Sequence, residues 1–254
     1  MKTLKPVAEA SWLFTLEVPG DMPKARAGQF VQVETPGDEV LRRPFSVAGA
    51  PDRETIELLM EIRGDGTRAL AALGKGDELA VSGPLGRPFE PHPAGAAAAL
   101  VAGGIGVAGL RMLANELVQS GVRTTAFIGA RSAGGLLDSL LPEPRDAFSV
   151  ERATDDGSAG FTGTVCDLFG GRAAALPRGS RVYLCGPRAM IDVAGRTALA
   201  YGHRAYALLE ETMACGVGAC RGCVVATRRG YRAVCSDGPV FDMAELLSGE
   251  GADA

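Results

Sequence analysis

Near the C-terminus of this 254-residue chain three cysteines fall within nine residues, Cys215-Gly216-Val217-Gly218-Ala219-Cys220-Arg221-Gly222-Cys223, and a fourth follows at Cys235. C-x4-C-x2-C…C is a spacing by which thiolates hold a [2Fe-2S] cluster. So short a loop must curl around whatever it binds, and Gly216, Gly218 and Gly222 permit the positive-φ turns that such a curl requires. Cys215, Cys220, Cys223 and Cys235 are therefore the expected iron ligands. Structural zinc is the competing reading, but zinc usually takes two separated Cys pairs, whereas here three ligands share one loop.

The length suits two domains with cores of their own plus a short module. A formal net charge of -4 without a basic stripe gives no reason to expect nucleic acid as a partner. The N-terminal residues carry charge with no apolar run behind them, so no signal peptide is expected. The most apolar stretch, 96–110, is too short and too rich in glycine to span a bilayer, which takes about 20 residues. These features predict a cytoplasmic chain, without a membrane partner, whose six cysteines stay reduced.

From residue 4 to about 89 the pattern is of strands. Trp12, Phe14, Leu16 and Val18 alternate, 30–33 continues the type, and 56–62 is another apolar run. Pro19-Gly20, Pro36-Gly37, Gly74-Lys75-Gly76-Asp77 and Gly83-Pro84-Leu85-Gly86 supply turns, which together predict a small antiparallel barrel. Pro91-His92-Pro93-Ala94-Gly95 reads as a linker. Beyond it come a strand at 97–102, a helix at 110–119, and strands at 124–128 and 181–185, each with a helix expected after it. Alternating β and α implies a parallel sheet with ligands at the carboxyl ends of its strands. The expected divisions are 1–92, 93–205 and 206–254.

Two short motifs lie in the barrel segment, Arg43-Pro44-Phe45-Ser46 and Gly64-Asp65-Gly66-Thr67. Alone, each is as readily a surface arginine or a turn. At the first strand-to-helix junction of the second segment stand Gly103, Gly104 and Gly106, where glycines let a dinucleotide approach the backbone and a helix N-terminus. Their spacing is not that of G-x-G-x-x-G. Cys185-Gly186-Pro187 closes a later strand. Cys185 is either a ligand contact there or a small buried hydrophobe, and Cys166 reads as core. His92 and His203 show no acid-base partner, and no hydrolytic triad can be assembled.

Taken together, the two barrel motifs ahead of a βα domain and a cysteine loop resemble the ferredoxin-reductase family of flavoproteins. That resemblance implies bound FAD, with Arg43 on its pyrophosphate, Ser46 beside the ring N5, and Pro44 and Phe45 shaping the pocket. A bidentate guanidinium suits phosphate, and a small hydroxyl leaves room for hydride approach. It further implies that Leu59, Met60 and Glu61 line the flavin and that Gly66 and Thr67 offer backbone and hydroxyl donors to phosphate. The G-G-x-G-x-x-x-L run is similar to the family's pyridine-nucleotide domain, which places Gly103, Gly104 and Gly106 on NAD(H) and Cys185, Gly186 and Pro187 beside the nicotinamide. Ser46 and Cys185 would then flank the reacting centre. Ala108 and Gly109 stand where the family often has proline, so a looser nucleotide loop is expected.

The whole chain resembles the electron-transfer subunits of NAD-dependent, class 1B dihydroorotate dehydrogenases. The resemblance rests on Thr154-Asp155-Asp156-Gly157-Ser158 with Gly163, on 210–223, and on Cys235-Ser236-Asp237-Gly238-Pro239-Val240-Phe241. It implies a subunit of pyrimidine biosynthesis that passes electrons between NAD(H), FAD and a [2Fe-2S] cluster. A separate FMN-containing catalytic subunit would oxidise dihydroorotate, in a heterotetramer of two copies of each. The small subunit of an NADH-dependent ferredoxin:NADP oxidoreductase has the same three modules, and reductase components of oxygenases or sulfite reductases are further alternatives. NAD and NADP are not separated by the sequence: Arg131 could meet a 2′-phosphate or be a solvated loop arginine.

Overall fold

The structure is a computed structural model describing residues 1–37 and 41–246. Its first half comprises β1 (Thr3–Ala8), β2 (Ser11–Glu17), β3 (Phe30–Val33), β4 (Arg43–Gly49), β5 (Thr55–Glu61), helix α1 (Asp65–Ala71) and β6 (Val81–Leu85). The strands form one antiparallel sheet in the order β1-β2-β5-β4-β3-β6. Alternation sends Phe14, Leu16, Val31, Val33, Val47, Ile56, Leu58 and Met60 to one enclosed core, the interior of the expected barrel. The turn expected at Gly83-Pro84 instead lies inside β6. Pairing of β3 with β6 shifts between Phe30↔Leu85 and Gln32↔Ser82, so the glycine (φ +149) marks a bulge, where Val31 leaves no room for a Cβ.

The second half begins with β7 (Ala98–Gly103), α2 (Val107–Gln119), β8 (Thr124–Ala130), β9 (Phe148–Thr154) and β10 (Phe161–Thr162). It continues through α3 (Val165–Ala173), β11 (Arg181–Cys185), α4 (Arg188–Ala200) and β12 (Arg204–Leu208). After β12 come a short hairpin of β13 (Val224–Val225) and β14 (Arg232–Ala233), then α5 (Val234–Asp237), β15 (Val240–Asp242) and α6 (Met243–Leu246). The large sheet runs β10-β9-β8-β7-β11-β12-β15 and is parallel except at β15. Three expectations shift. α2 starts three residues earlier than 110, because Ala108 and Gly109 are buried members of its first turn. β8 is followed by two 3-10 turns, 133–135 and 138–140, rather than a helix. The expected division at 205/206 falls inside β12, and β15 returns from the cysteine segment to complete the same sheet.

The linker is anchored rather than free. His92 Nε2 lies 3.0 Å from the Ala96 carbonyl, which can only accept, so Nε2 carries the proton and Nδ1 accepts from the Tyr183 hydroxyl at 2.9 Å. Burial lowers the His92 pKa and favours this neutral form. Against the barrel, α2 packs on β4, and Arg111 bridges the two halves. Its guanidinium pairs with Glu57 of β5 and donates to the carbonyls of Ala48 (3.4 Å) and Leu140 (2.9 Å). Only 19% of the Arg111 side chain and 20% of the Glu57 side chain meet solvent, so neither charge can be abandoned to water. Arg111→Met should cost about 3 kcal/mol, the low end for stranding one member of a buried pair, because some solvent remains. Chemical denaturation should show that loss and its partial recovery in Glu57→Gln/Arg111→Met.

Candidate functional site

A cleft of about 730 Å³ opens between the barrel, the start of α2 and the chain leaving β12. That volume lies within the range of roughly 300–1,000 Å³ usual for small-molecule and cofactor sites. Arg43, Pro44, Phe45, Ser46, Leu59, Met60, Glu61 and Thr67 all line it, so the two barrel motifs meet in one place. The reason is register: β4 pairs with β5 through Val47↔Leu58, which sets the Arg43–Ser46 run beside Leu59–Glu61. Ile105 in the turn before α2 and Ala108 in its first turn close the cleft, and 208–213 form its far wall.

At the end where phosphate is expected, a Cβ on Gly66 would stand 3.5 Å from the Arg43 guanidinium and 3.3 Å from the Thr35 methyl. Arg43 Nη1 also donates to the Leu41 carbonyl at 2.8 Å, which fixes the side chain's direction. The Thr67 hydroxyl is committed elsewhere. Its one proton goes to the Gly64 carbonyl (3.0 Å) while it accepts from the Arg63 and Gly64 N–H groups, so here it caps α1. Thr35, unmarked in the sequence, is buried against Gly66, and its hydroxyl has no partner among the described residues.

The nucleotide end is built by close approach. A Cβ on Gly106 would overlap the Cys185 carbonyl, one on Gly103 would lie 2.7 Å from Met190 Sδ, and Gly186 (φ +151) packs on the Gly103 backbone. Gly104 has φ +51 and open space above it, so its backbone is the accessible part of the turn. Gly109 is not a loose substitute for proline. A Cβ there would stand 3.0 Å from Cys185 Sγ and from Leu208, so glycine lets the helix pack closely without displacing either. The Cys185 thiol is fully buried and absent from the cleft lining, and burial pushes its pKa well up. Gly186 and Pro187 carry the exposed surface of that strand end.

Four charged residues that the sequence had not assigned a role also line the cleft: Arg42, Arg63, Glu210 and Glu211. Arg63 pairs with Glu61 at 2.7 Å. Glu210 opens toward the cleft with protein around its other sides; burial raises its pKa, Arg63 opposes that rise and Glu61 adds to it. Only the strand end immediately before Glu210 could have signalled its position.

Beyond the cleft wall the cysteine segment folds as one loop in which every expected ligand sulfur accepts a backbone N–H. Gly218 N donates to Cys235 Sγ at 3.1 Å, and at 3.4 Å Cys220 N donates to Cys215 Sγ, Gly222 N to Cys220 Sγ, and Cys235 N to Cys223 Sγ. Such donors favour thiolate over thiol. The Cys220 and Val217 N–H groups bring Cys215 down to about 6, while burial pushes Cys235 up to about 11. Among the described residues no three His, Cys, Asp or Glu groups converge tightly enough to hold a single ion. What unites the four sulfurs is a shared set of donors lining one loop. Gly216 and Gly218 have φ of +71 and +81 as expected, but Gly222 does not have a positive φ; the neighbouring Arg221 takes that conformation instead, at φ +59. Cys166 lies apart on α3, half-buried, with its thiol 3.6 Å from the Met190 carbonyl.

A flavin-type barrel and a glycine-turn parallel sheet on either side of one cleft, with a four-cysteine loop continuing from its far wall, define a ferredoxin-reductase-like flavoprotein with an iron-sulfur module. The structure superposes with a TM-score of 0.83 on an NADH-dependent reduced ferredoxin-NADP oxidoreductase, 28% identical, covering 98% of this chain and 91% of that one. Phthalate dioxygenase reductase (21% identical, TM-score 0.64, covering 95% of this chain and 74% of that one) shares the fold. Residues 210–247 match the model for the iron-sulfur cluster binding domain of dihydroorotate dehydrogenase B. The electron transfer subunit of dihydroorotate dehydrogenase B (NAD(+)) from Shouchella clausii is 38% identical over 253 residues, 95% of this chain and 94% of that protein. Its counterpart from Bacillus caldolyticus is 36% identical over 251 residues, with the same coverage of both chains. The chain belongs to this family of electron transfer subunits.

Gly218 offers a direct test of the loop. A Cβ there would lie 2.6 Å from Ser236 Oγ and force a strained backbone, displacing the N–H that reaches Cys235. Gly218→Ala should therefore lose iron faster than the parent chain, read as iron per chain after gel filtration.

Proposed function

We propose that this chain carries electrons between NAD(H), FAD and a [2Fe-2S] cluster on behalf of a separate catalytic subunit of dihydroorotate dehydrogenase. The observation that supports this most is the shared wall: 208–213 bound the cleft, and the same segment runs directly into the loop at Cys215. FAD supplies the conversion of a two-electron hydride into single electrons, and the cluster carries these singly. Arg43, Gly66 and Thr35 hold the pyrophosphate end, Thr67 contributing by capping α1 behind them. Pro44, Phe45, Leu59 and Met60 enclose the ring system, and Ser46 leaves room beside it. Glu61 holds Arg63 in place. Gly103, Gly104 and Gly106 present backbone to the nucleotide pyrophosphate, and Gly186 with Pro187 meets the nicotinamide.

The loop also has two sides. Cys223 and Cys235 are buried, whereas Cys220 is exposed and Val217 is 64% exposed, so the tip is the face turned to the catalytic subunit. That partner would be the FMN-containing, dihydroorotate-oxidising chain, two of each forming a cytoplasmic heterotetramer. Among the described residues no helix is long and apolar enough to cross a membrane.

Arg43→Ala should weaken FAD retention roughly tenfold to a hundredfold, since a hydrogen bond to a charged group contributes about 1.5–3 kcal/mol. The cluster lies in another segment, so the flavin-to-iron ratio should fall; an unchanged ratio would mean that Arg43 does not hold FAD. Reconstitution tests the whole reading. The loaded chain alone should reduce an artificial acceptor with NADH but not oxidise dihydroorotate, and adding the FMN subunit should restore NAD-linked oxidation. Cys220→Ser should abolish the coupled reaction while sparing NADH reduction of FAD. Ferredoxin-dependent NADP reduction in place of that coupling would favour the bifurcating-type relative instead.

A further inference from the structure

Gln32 is a buried amide in a place where burial needs a reason. It sits on β3 with 3% of its surface exposed, and β3 lies between β4 and β6. Val31 and Val33 take the inner face of the barrel, leaving Phe30 and Gln32 on the outer face. Phe30 joins the core that also holds Met213, Cys223 and Cys235, so this outer face is covered by the cysteine module. Gln32 itself packs on Gly216, the residue after Cys215: a Cβ there would stand 2.7 Å from Oε1 and 3.1 Å from Nε2. On its other flank Gln32 pairs with Pro44, inside the flavin motif.

The Gln32 Nε2 group has no hydrogen-bond partner among the described residues. An unsatisfied buried donor costs about 1–3 kcal/mol, and native structures seldom retain one without a function. All four ligand sulfurs already accept backbone N–H groups, and Gln32 brings a side-chain donor to the same loop from another domain. Electron-rich sulfur can only accept, so an amide turned toward it must present N–H rather than carbonyl oxygen.

We propose that the Gln32 amide donates a hydrogen bond to the cluster at the Cys215 end of the loop and thereby raises its reduction potential. Reduction adds negative charge to the cluster, and a donor stabilises that charge more than it stabilises the oxidised form. The barrel strand next to the flavin thus helps to set the potential of the next carrier. This rests on the reading that the four cysteines hold a [2Fe-2S] cluster.

The test is an EPR-monitored redox titration of the assembled complex carrying wild-type chain, Gln32→Met or Gln32→His. Methionine matches the shape without a donor, and histidine keeps an N–H at similar reach. Gln32→Met should titrate at a more negative potential with iron and FAD content unchanged, and Gln32→His should stay near wild type; a merely structural glutamine would not move the potential. Gln32→Met with about two irons per chain at the wild-type potential overturns the proposal. If Gln32→Met does not retain iron, pulsed EPR of wild-type chain labelled with 15N-glutamine decides: a nitrogen coupling that Gln32→His lacks supports it, and no coupling overturns it. Wild-type chain that binds zinc in place of iron overturns the cluster reading itself, and the proposal with it.

Discussion

The cysteine loop is tied at both ends to one sheet, and the placement of the other parts follows from that tie. β12 leads into it and β15 returns antiparallel along the outer edge of β12, with Tyr206↔Asp242, Ala207↔Phe241 and Leu208↔Val240 in register. The intervening segment leaves and re-enters at the same sheet edge, so it cannot swing away without breaking that ladder. The return also covers what would otherwise be an open strand edge. The barrel grips it from the other side, where Arg87 N donates to the Gly238 carbonyl at 2.6 Å and Arg87 Nε to the Ser236 carbonyl at 3.2 Å, and just past β12 Leu209 N donates to the Pro239 carbonyl at 2.9 Å.

This tie explains why one cleft can serve successive steps. The chain that forms its far wall becomes the loop within a few residues, so the distance from flavin pocket to sulfur is set by covalent connection and a packed core rather than by domain docking. β3 supplies the second connection. Its register partners are Ser46 opposite Phe30 and Pro44 opposite Gln32, and its outer side chains meet the module. Arg111 fixes the third relation by pinning the helix of the nucleotide turn to the strands that carry the flavin motif.

The parts that were legible in the sequence are those in which residue type and local spacing carry the chemistry. The four-thiol pattern needs nine residues and one outlier, and its glycines announce the curl directly. The barrel motifs were legible as a pair, because one opens β4 and the other follows the adjacent β5 at the start of α1. What escaped depends on long-range packing. Gly83-Pro84 reads as a turn, and only the shifted pairing with β3 makes it a bulge. Cys185 ends a strand in the expected place, but α2 crosses so closely at Gly106 and Gly109 that its thiol is sealed under the helix. Gln32, Thr35 and Arg111 have no motif around them; each acquires meaning from a partner more than 30 residues away.

The thiols show why a single loop can do what two separated pairs would not. Cys223 and Cys235 lie in the core with Phe30 and Met213, while Cys220 faces outward. Burial pushes the Cys235 thiol up and the Gly218 N–H that reaches it counters that tendency, while Cys223 Sγ accepts the Cys235 N–H. The inner sulfurs therefore depend on the curl set by the glycines, and the curl in turn depends on the β15 return. A cluster held by these four cysteines would have one side against the core shared with Phe30 and the other exposed at Cys220.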